Sequence, residues 1–285
     1  MKTILVPTDF SKNAENALYY AIELAKKEDA KLILLNVYEN DYATSYVPYG
    51  LIADEIAKAK KESGIQLKAL SLKIEHAGNI RHASISIEGA VIDTILTIIK
   101  QQEISLVVMG TKSSPGITGA IFGSIAAKII EKATCPVIAV PEETGFTSIK
   151  KITYATAYNP DDLANLKEVV LIARAFRAQL HVLHISDNSF SEESEEIAMK
   201  KFMGQVTAAV HYNNMSFQVL YGNTIEGTLE KYLDENSTSM LVMSTHYRNF
   251  FDKVFGKSTT RNVARHAKIP LMAFHHKETP VITIF

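Results

Sequence analysis

The sequence predicts an α/β fold in two tandem open-sheet domains, each a parallel five-stranded sheet with helices on both faces. Three observations predict it. The chain repeats itself: Lys2–Tyr38 aligns without a gap on Lys150–Ser186 at an offset of 148, with identities that include Thr8/Thr156, Ala30/Ala178, Leu32/Leu180 and Leu35/Leu183. A second register, offset 134, sets Ser105–Val140 on Ser239–Phe274 and pairs Met109 with Met243, Thr111 with Thr245, Ser124 with Ser258 and Pro136 with Pro270. Within each copy, short apolar runs of strand length alternate with amphipathic helical stretches, the signature of parallel strands joined by helices.

The elements follow in order. Thr3–Val6, closed by Pro7, and Leu32–Val37 are branched apolar runs that read as buried parallel strands. Between them Ala14, Ala17, Leu18, Ala21, Ile22, Leu24 and Ala25 recur at helical spacing behind Ser11 as cap, and Lys26 and Lys27 suit the last turn. Tyr38–Gly50 reads as a loop and Leu51 to about Glu62 as a charged amphipathic helix that runs on towards His76. Ser84–Glu88 alternates as a strand, Val91–Gln102 is helical, Leu106–Met109 is a strand, Ser124–Ala133 a helix and Val137–Val140 the fifth strand.

The second copy repeats this order. Ile152–Ala155, Leu180–Ile185, Ser216–Leu220, Met240–Met243 and Leu271–Phe274 are its strands, and Asn159-Pro160-Asp161-Asp162 predicts a helix start with Asn159 as cap and Pro160 in the first position. The polar stretch Glu142–Ile149 is the expected junction, giving domains 1–144 and 145–285. The second copy is shorter in its middle.

Composition narrows the function. A hydrophobic content of 47% lets both domains bury a core, and 30 basic against 31 acidic residues gives no general pull towards nucleic acid or an acidic membrane. No apolar run reaches membrane-spanning length, and the start MKTILVPTDF is too short in apolar residues for a signal-peptide core. The single cysteine, Cys135, excludes an internal disulfide and fits the cytoplasm; preceding Pro136 at a strand start, it reads as a buried inert thiol.

In open parallel sheets a ligand sits beyond the carboxyl ends of the strands where their order reverses. Two loops occupy such positions: Pro7-Thr8-Asp9-Phe10-Ser11 after the first strand, and Gly110–Gly123 after the fourth. The second carries Gly110, Gly116 and Gly119 and ends on Gly123-Ser124 at a helix start, where unpaired amides and the helix dipole suit an anion such as phosphate. Taken alone, Asp9 equally serves as a helix-capping residue and Gly123-Ser124 as an ordinary helix entry.

VPTDFS at the first strand, LNVYE at the second and VVMGTKSSPGITGAIFGSIAAKIIEKATCPVIAVP at the end of the first copy resemble the universal stress protein family. The resemblance spans essentially the whole chain as a tandem member, stronger in the first half. It implies strand order 3-2-1-4-5 and, for one branch of the family, ATP bound through Gly-x2-Gly-x9-Gly-Ser/Thr. Carried over, Gly110 is the first glycine and Gly123 with Ser124 the end; Ser113 replaces the second glycine. Asp9 matches the acid that contacts the nucleoside, Val37 the position whose main chain meets adenine, and Lys112 stands where the family often has histidine. The implied site comprises Pro7, Thr8, Asp9, Val37, Met109, Gly110, Thr111, Lys112, Ser113, Gly123, Ser124 and Ile125. Its ligand would be ATP or another adenine nucleotide, with magnesium.

The internal repeat supplies a contrast. Asp9 becomes Ala157, Gly110 becomes Ser244, Ser113 becomes Tyr247 and Gly123 becomes Lys257, so the second domain is expected to keep the fold without the site. It would pack on the first as an internal pseudo-dimer, and the apolar tail Val281–Phe285 offers a surface for a homodimer.

Other motifs carry less. Gly256-Lys257-Ser258 resembles the end of a Walker motif, but Phe251 stands where its first glycine belongs. The adjacent His275 and His276 would point to opposite sides of an extended chain. His211, His246 and His266 lack ligand spacing. His184, at the position of Asn36, reads as a satisfied, partly buried imidazole, and Glu192, Glu193, Glu195 and Glu196 as a solvated, dipole-compensating turn. No assembled catalytic motif is present. Three roles remain: a regulatory stress-response protein that binds nucleotide and is read by an unidentified protein partner, a nucleotide-free interaction module, and a slow ATPase.

Overall fold

Each run of branched residues became a strand, and each helical stripe a helix laid across the sheet those strands make. The computed structural model describes residues 2–39, 49–111, 123–142, 144–186, 191–244 and 269–275. In the first half these are β1 (Thr3–Pro7), α1 (Lys12–Glu28), β2 (Lys31–Tyr38), α2 (Tyr49–Ala77), β3 (His82–Glu88), α3 (Val91–Gln101), β4 (Leu106–Thr111), α4 (Ser124–Lys132) and β5 (Val137–Pro141). The second half gives β6 (Lys151–Thr156), α5 (Asp162–Phe176), β7 (Gln179–Ser186), α6 (Glu192–Ala209), β8 (Met215–Tyr221), α7 (Ile225–Glu235), β9 (Met240–Ser244) and β10 (Leu271–Phe274).

Both halves have strand order 3-2-1-4-5, and they share one sheet. The order β3-β2-β1-β4-β5-β10-β9-β6-β7-β8 is parallel within each half and antiparallel only at the β5–β10 junction, where Val137, Ile138 and Ala139 face Ala273, Met272 and Leu271. Pairing these two strands satisfies backbone groups that two separate sheets would leave at exposed edges. The helices α1 and α5 lie side by side across the junction. There Phe146, from the linking segment, stands edge-on to Tyr20 of α1 at 4.9 Å and tilted against Phe176 of α5 at 6.2 Å.

Strand alternation divides the core between the two faces of the sheet. Ile4, Val6, Leu32 and Leu34 pack under α1 and α2, whereas Leu5, Ile33 and Leu35 pack under α3 and α4 with Ile95, Ile98 and Ile129. The helix predicted to run towards His76 is continuous to Ala77, because Leu67, Leu70 and Ile74 keep the buried stripe going past the exposed Gly64. The Asn159 cap needs correction: α5 starts at Asp162 with Asp161 in the cap position. The Asp162 carboxylate is buried and takes hydrogen bonds from the Tyr154 and Thr156 hydroxyls, both 2.7 Å, and from the Asn159 amide at 3.0 Å. Those bonds hold residues 159–161 as a turn ahead of the helix.

Cys135 is buried, and burial pushes its thiol up to about 12. No helix of the described residues is long and apolar enough to cross a membrane.

Candidate functional site

The strand order reverses between β1 and β4, and a cleft of about 280 Å³ opens there at the carboxyl ends of the strands. One wall is the β1–α1 loop, whose shape its own hydrogen bonds fix. Thr8 donates its amide to Leu35 O at 2.8 Å and its carbonyl accepts from Asn36 Nδ2 at 2.7 Å, tying the loop to β2. Phe10 is turned into the left-handed region at φ 64°, with its amide on Thr8 Oγ1 at 3.0 Å. Asp9 is exposed on the cleft wall and accepts from the Ser11 amide at 3.0 Å, and Ser11 Oγ caps α1 by accepting from the Ala14 amide. Ser11 therefore does the capping, and Asp9 turns the chain with one carboxylate oxygen.

The opposite wall is the start of α4. Gly123 is its N-cap and offers no side-chain hydrogen bond. The first-turn amides of Ser124, Ile125 and Ala126 thus lack an intrahelical acceptor at the positive end of the helix dipole. The floor and back are apolar: Leu35 and Val37 of β2, Met109 of β4, and Val91 and Ile95 of α3. Asp9 is the one ionisable residue on this lining among the described residues.

Gly110 forms part of the floor and has a second task. A Cβ built on it would lie 2.5 Å from the carbonyl carbon and oxygen of Asn13 and 2.8 Å from the Ala14 nitrogen, so the start of α1 sits directly on this strand. Asn13 is buried there and donates Nδ2 to Thr111 O at 3.0 Å.

Nine of the sequence-derived site residues line the cleft: Pro7, Thr8, Asp9, Val37, Met109, Gly110, Gly123, Ser124 and Ile125. Thr111 does not. Its carbonyl is held by Asn13, its hydroxyl donates to Val140 O at 3.3 Å, and it is buried at the end of β4. Lys112 and Ser113 lie outside the described residues, as do Gly116, Gly119 and most of the Tyr38–Gly50 stretch. Sequence reasoning missed Leu35, Val91, Ile95, Asn13 and Ala126. Leu35 was within reach, two residues before Val37 on the same strand; Val91 and Ile95 looked like ordinary core positions of a helix.

The second half keeps the loop and changes its contents. Tyr158, the counterpart of Phe10, is also left-handed at φ 59°, with its amide on Thr156 Oγ1 at 2.9 Å. Ala157 replaces the carboxylate of Asp9. Ser244 replaces Gly110; its side chain is buried, and α5 begins two residues later in the repeat than α1, so the helix start does not bear on this position in the same way. Tyr247, Lys257, the Gly256–Ser258 motif, His246, His266, His276 and the Val281–Phe285 tail lie outside the described residues.

Glu195 also needs correction. It belongs to no solvated turn: it is buried, with Oε2 3.2 Å from His184 Nε2. Among the described residues no group of three or more His, Cys, Asp or Glu is arranged to hold a metal ion.

A model of the universal stress protein family matches residues 1–141 and again 148–275. The universal stress protein YxiE of Bacillus subtilis is 29% identical over 144 residues, which is 48% of this chain and 97% of that protein. The crystal structure of a universal stress protein from Archaeoglobus fulgidus superposes with TM-score 0.70 at 17% identity and covers 97% of both chains. A family protein from Arabidopsis thaliana with AMP bound matches 49% of this chain and 90% of its own, with TM-score 0.37 and 19% identity.

Proposed function

Because this chain belongs to the universal stress protein family as a tandem two-domain member, we propose that its first half is a regulatory adenine-nucleotide receptor. One observation carries the reading: the cleft brings the Asp9 carboxylate, an apolar slot and the uncapped start of α4 onto one cavity. Each part suits one part of a nucleotide. The slot formed by Leu35, Val37, Val91 and Ile95 accepts a flat base by excluding water from its faces. The other carboxylate oxygen of Asp9 suits hydrogen bonds from ribose hydroxyls. The amides of Ser124, Ile125 and Ala126 suit a phosphate oxygen, aided by the helix dipole. ATP with magnesium, ADP and AMP all meet this description.

In this reading residues 1–144 form the receptor domain and 145–285 a partner domain with a degenerate site. Ala157 and Ser244 favour that division, since the first lacks the acceptor and the second puts a side chain where Gly110 lets the start of α1 sit on the strand. Among the described residues Asp9 is the acid on the cleft wall, and its position suits hydroxyl recognition, which favours binding with at most slow ATP hydrolysis. The protein acts in the cytoplasm, where a protein partner or a second copy of the chain reads the occupied state. For that to be a switch, nucleotide must favour one state of the read surface over another.

Thermal unfolding with and without ATP, ADP and AMP, each with magnesium, tests the binding. A ligand at 100 times its dissociation constant adds about 2.7 kcal/mol of stability. The stabilisation should vanish in Gly123→Val and shrink strongly in Asp9→Ala. A flat response to all three nucleotides at millimolar concentration would instead support the nucleotide-free interaction module, and phosphate release that Asp9→Ala abolishes would support the hydrolase.

A further inference from the structure

At the loop that follows the first strand of each half, the two halves make one hydrogen bond with different chemistry. In the first, Asn36 donates Nδ2 to Thr8 O at 2.7 Å. In the second, His184 occupies the same place and its Nδ1 lies 2.9 Å from Thr156 O. The other ring nitrogen, Nε2, lies 3.2 Å from Glu195 Oε2 of α6. Both nitrogens therefore face oxygens, and the Thr156 carbonyl can only accept. A neutral imidazole has one N–H and one lone pair, so it serves one of these oxygens and turns its lone pair on the other. Two N–H groups serve both.

We infer that His184 is held as an imidazolium that clamps α6 to the β6–α5 loop, and that loss of its proton releases the clamp. The surroundings favour the charge on the ring rather than a proton on Glu195. Tyr158 stacks on the imidazole at 4.2 Å with the planes 24° apart, placing an electron-rich face against a cation. Glu195 lies in the opening turns of α6, behind the Ser191 cap, where the dipole stabilises a carboxylate.

The groups packed around the ring agree. From the loop come Thr156 and Tyr158, with the Asp162 carboxylate of α5 already engaged by the Tyr154 and Thr156 hydroxyls. From α6 come Glu195 and Phe202, the latter 5.4 Å from the Tyr158 ring; Glu192 and Glu196 are exposed. From β8 the neighbour of His184 is Val219. Among these, Glu195 alone contacts the imidazole as an acid. Without the proton one of the two oxygens, the Thr156 carbonyl or the Glu195 carboxylate, would face a lone pair in a site shielded from water, which works against the loop and α6 both staying docked on the ring. The first half has an amide at this point and cannot respond to pH.

The test uses the full chain labelled with ¹⁵N-histidine, with His184 assigned by loss of its signals in His184→Asn. At about pH 7 both ring nitrogens should report attached protons. As the pH is raised until one is lost, amide exchange in the first turns of α6, corrected for its intrinsic pH dependence, should accelerate at least about tenfold. His184→Asn copies the first-half bond, so its α6 exchange should lack that step. In Glu195→Gln the ring should carry one proton at neutral pH while the far-ultraviolet circular dichroism remains native. A single ring proton in the wild type at about pH 7, or α6 exchange in His184→Asn that accelerates with pH as in the wild type, would overturn the inference.

Discussion

The backbone of Asn13 leaves Gly110 no room for a side chain: a Cβ there would sit 2.5 Å from the Asn13 carbonyl carbon. The contact is backbone against backbone, so no flexible side chain can yield. Gly110→Ala should therefore move the start of α1, at a cost of about 1–3 kcal/mol. Urea unfolding measures this directly. The same substitution should weaken nucleotide binding, because Ser11, Asn13 and Ala14 at the displaced end of α1 line the cleft. Unchanged stability would show that the helix start slides freely along β4.

His181 predicts a pH dependence. Burial, with a smaller contribution from the charge of Lys151, lowers its pKa from 6.5, and its Nδ1 lies 2.7 Å from the Tyr232 hydroxyl. The folded state thus holds the neutral ring, while the unfolded chain takes up a proton as pH falls below about 6.5. The stability from this group is present above that pH and lost below it. Urea midpoints should fall from about pH 7.5 to 5.5, and His181→Gln should remove part of that slope.

Cys135 should resist alkylation in the native protein. Its thiol is buried and pushed up to about 12, so hardly any thiolate exists at neutral pH. A chromogenic disulfide reagent should react with it only in denaturant, at a native rate set by unfolding. Rapid native reaction would mean that the start of β5 opens.

How much of this was legible in the sequence depends on what each feature leaves in the pattern of side chains. The strands could be read because buried parallel strands form unbroken apolar runs, and because the repeat allowed each element to be checked against a second copy; their order was legible only through the family resemblance. The β5–β10 pairing could not, since the edge of a strand is backbone and leaves no mark on the residues. At the site, Asp9, Gly110 and Gly123 were legible through a motif, whereas Val91 and Ile95 were not, because an apolar cleft wall and an apolar core have the same periodicity. Glu195 was legible in principle. It falls at 195, 199, 202 and 206 with the buried Met199, Phe202 and Val206, one helical stripe, and its acidic neighbours hid that spacing.

Phe146 provides the last prediction, which concerns the joint between the halves. It is half-buried between Tyr20 of α1 and Phe176 of α5, so its ring contacts a helix from each half. The segment that carries it is also tied to α1 by the hydrogen bond from Asn16 Nδ2 to Glu142 O at 2.7 Å. Phe146→Ala removes both ring contacts and leaves the β5–β10 pairing and the α1–α5 contact to hold the halves together. Losing a partly buried phenyl and its edge-on contact should cost about 2–4 kcal/mol. That loss falls on the coupling between halves rather than on the core of either. Calorimetry should therefore show a single cooperative transition in the wild type separating into two in the variant, with the second near its original temperature. A single transition lowered as a whole would mean that the shared sheet and the α1–α5 contact make the two halves one cooperative unit without Phe146.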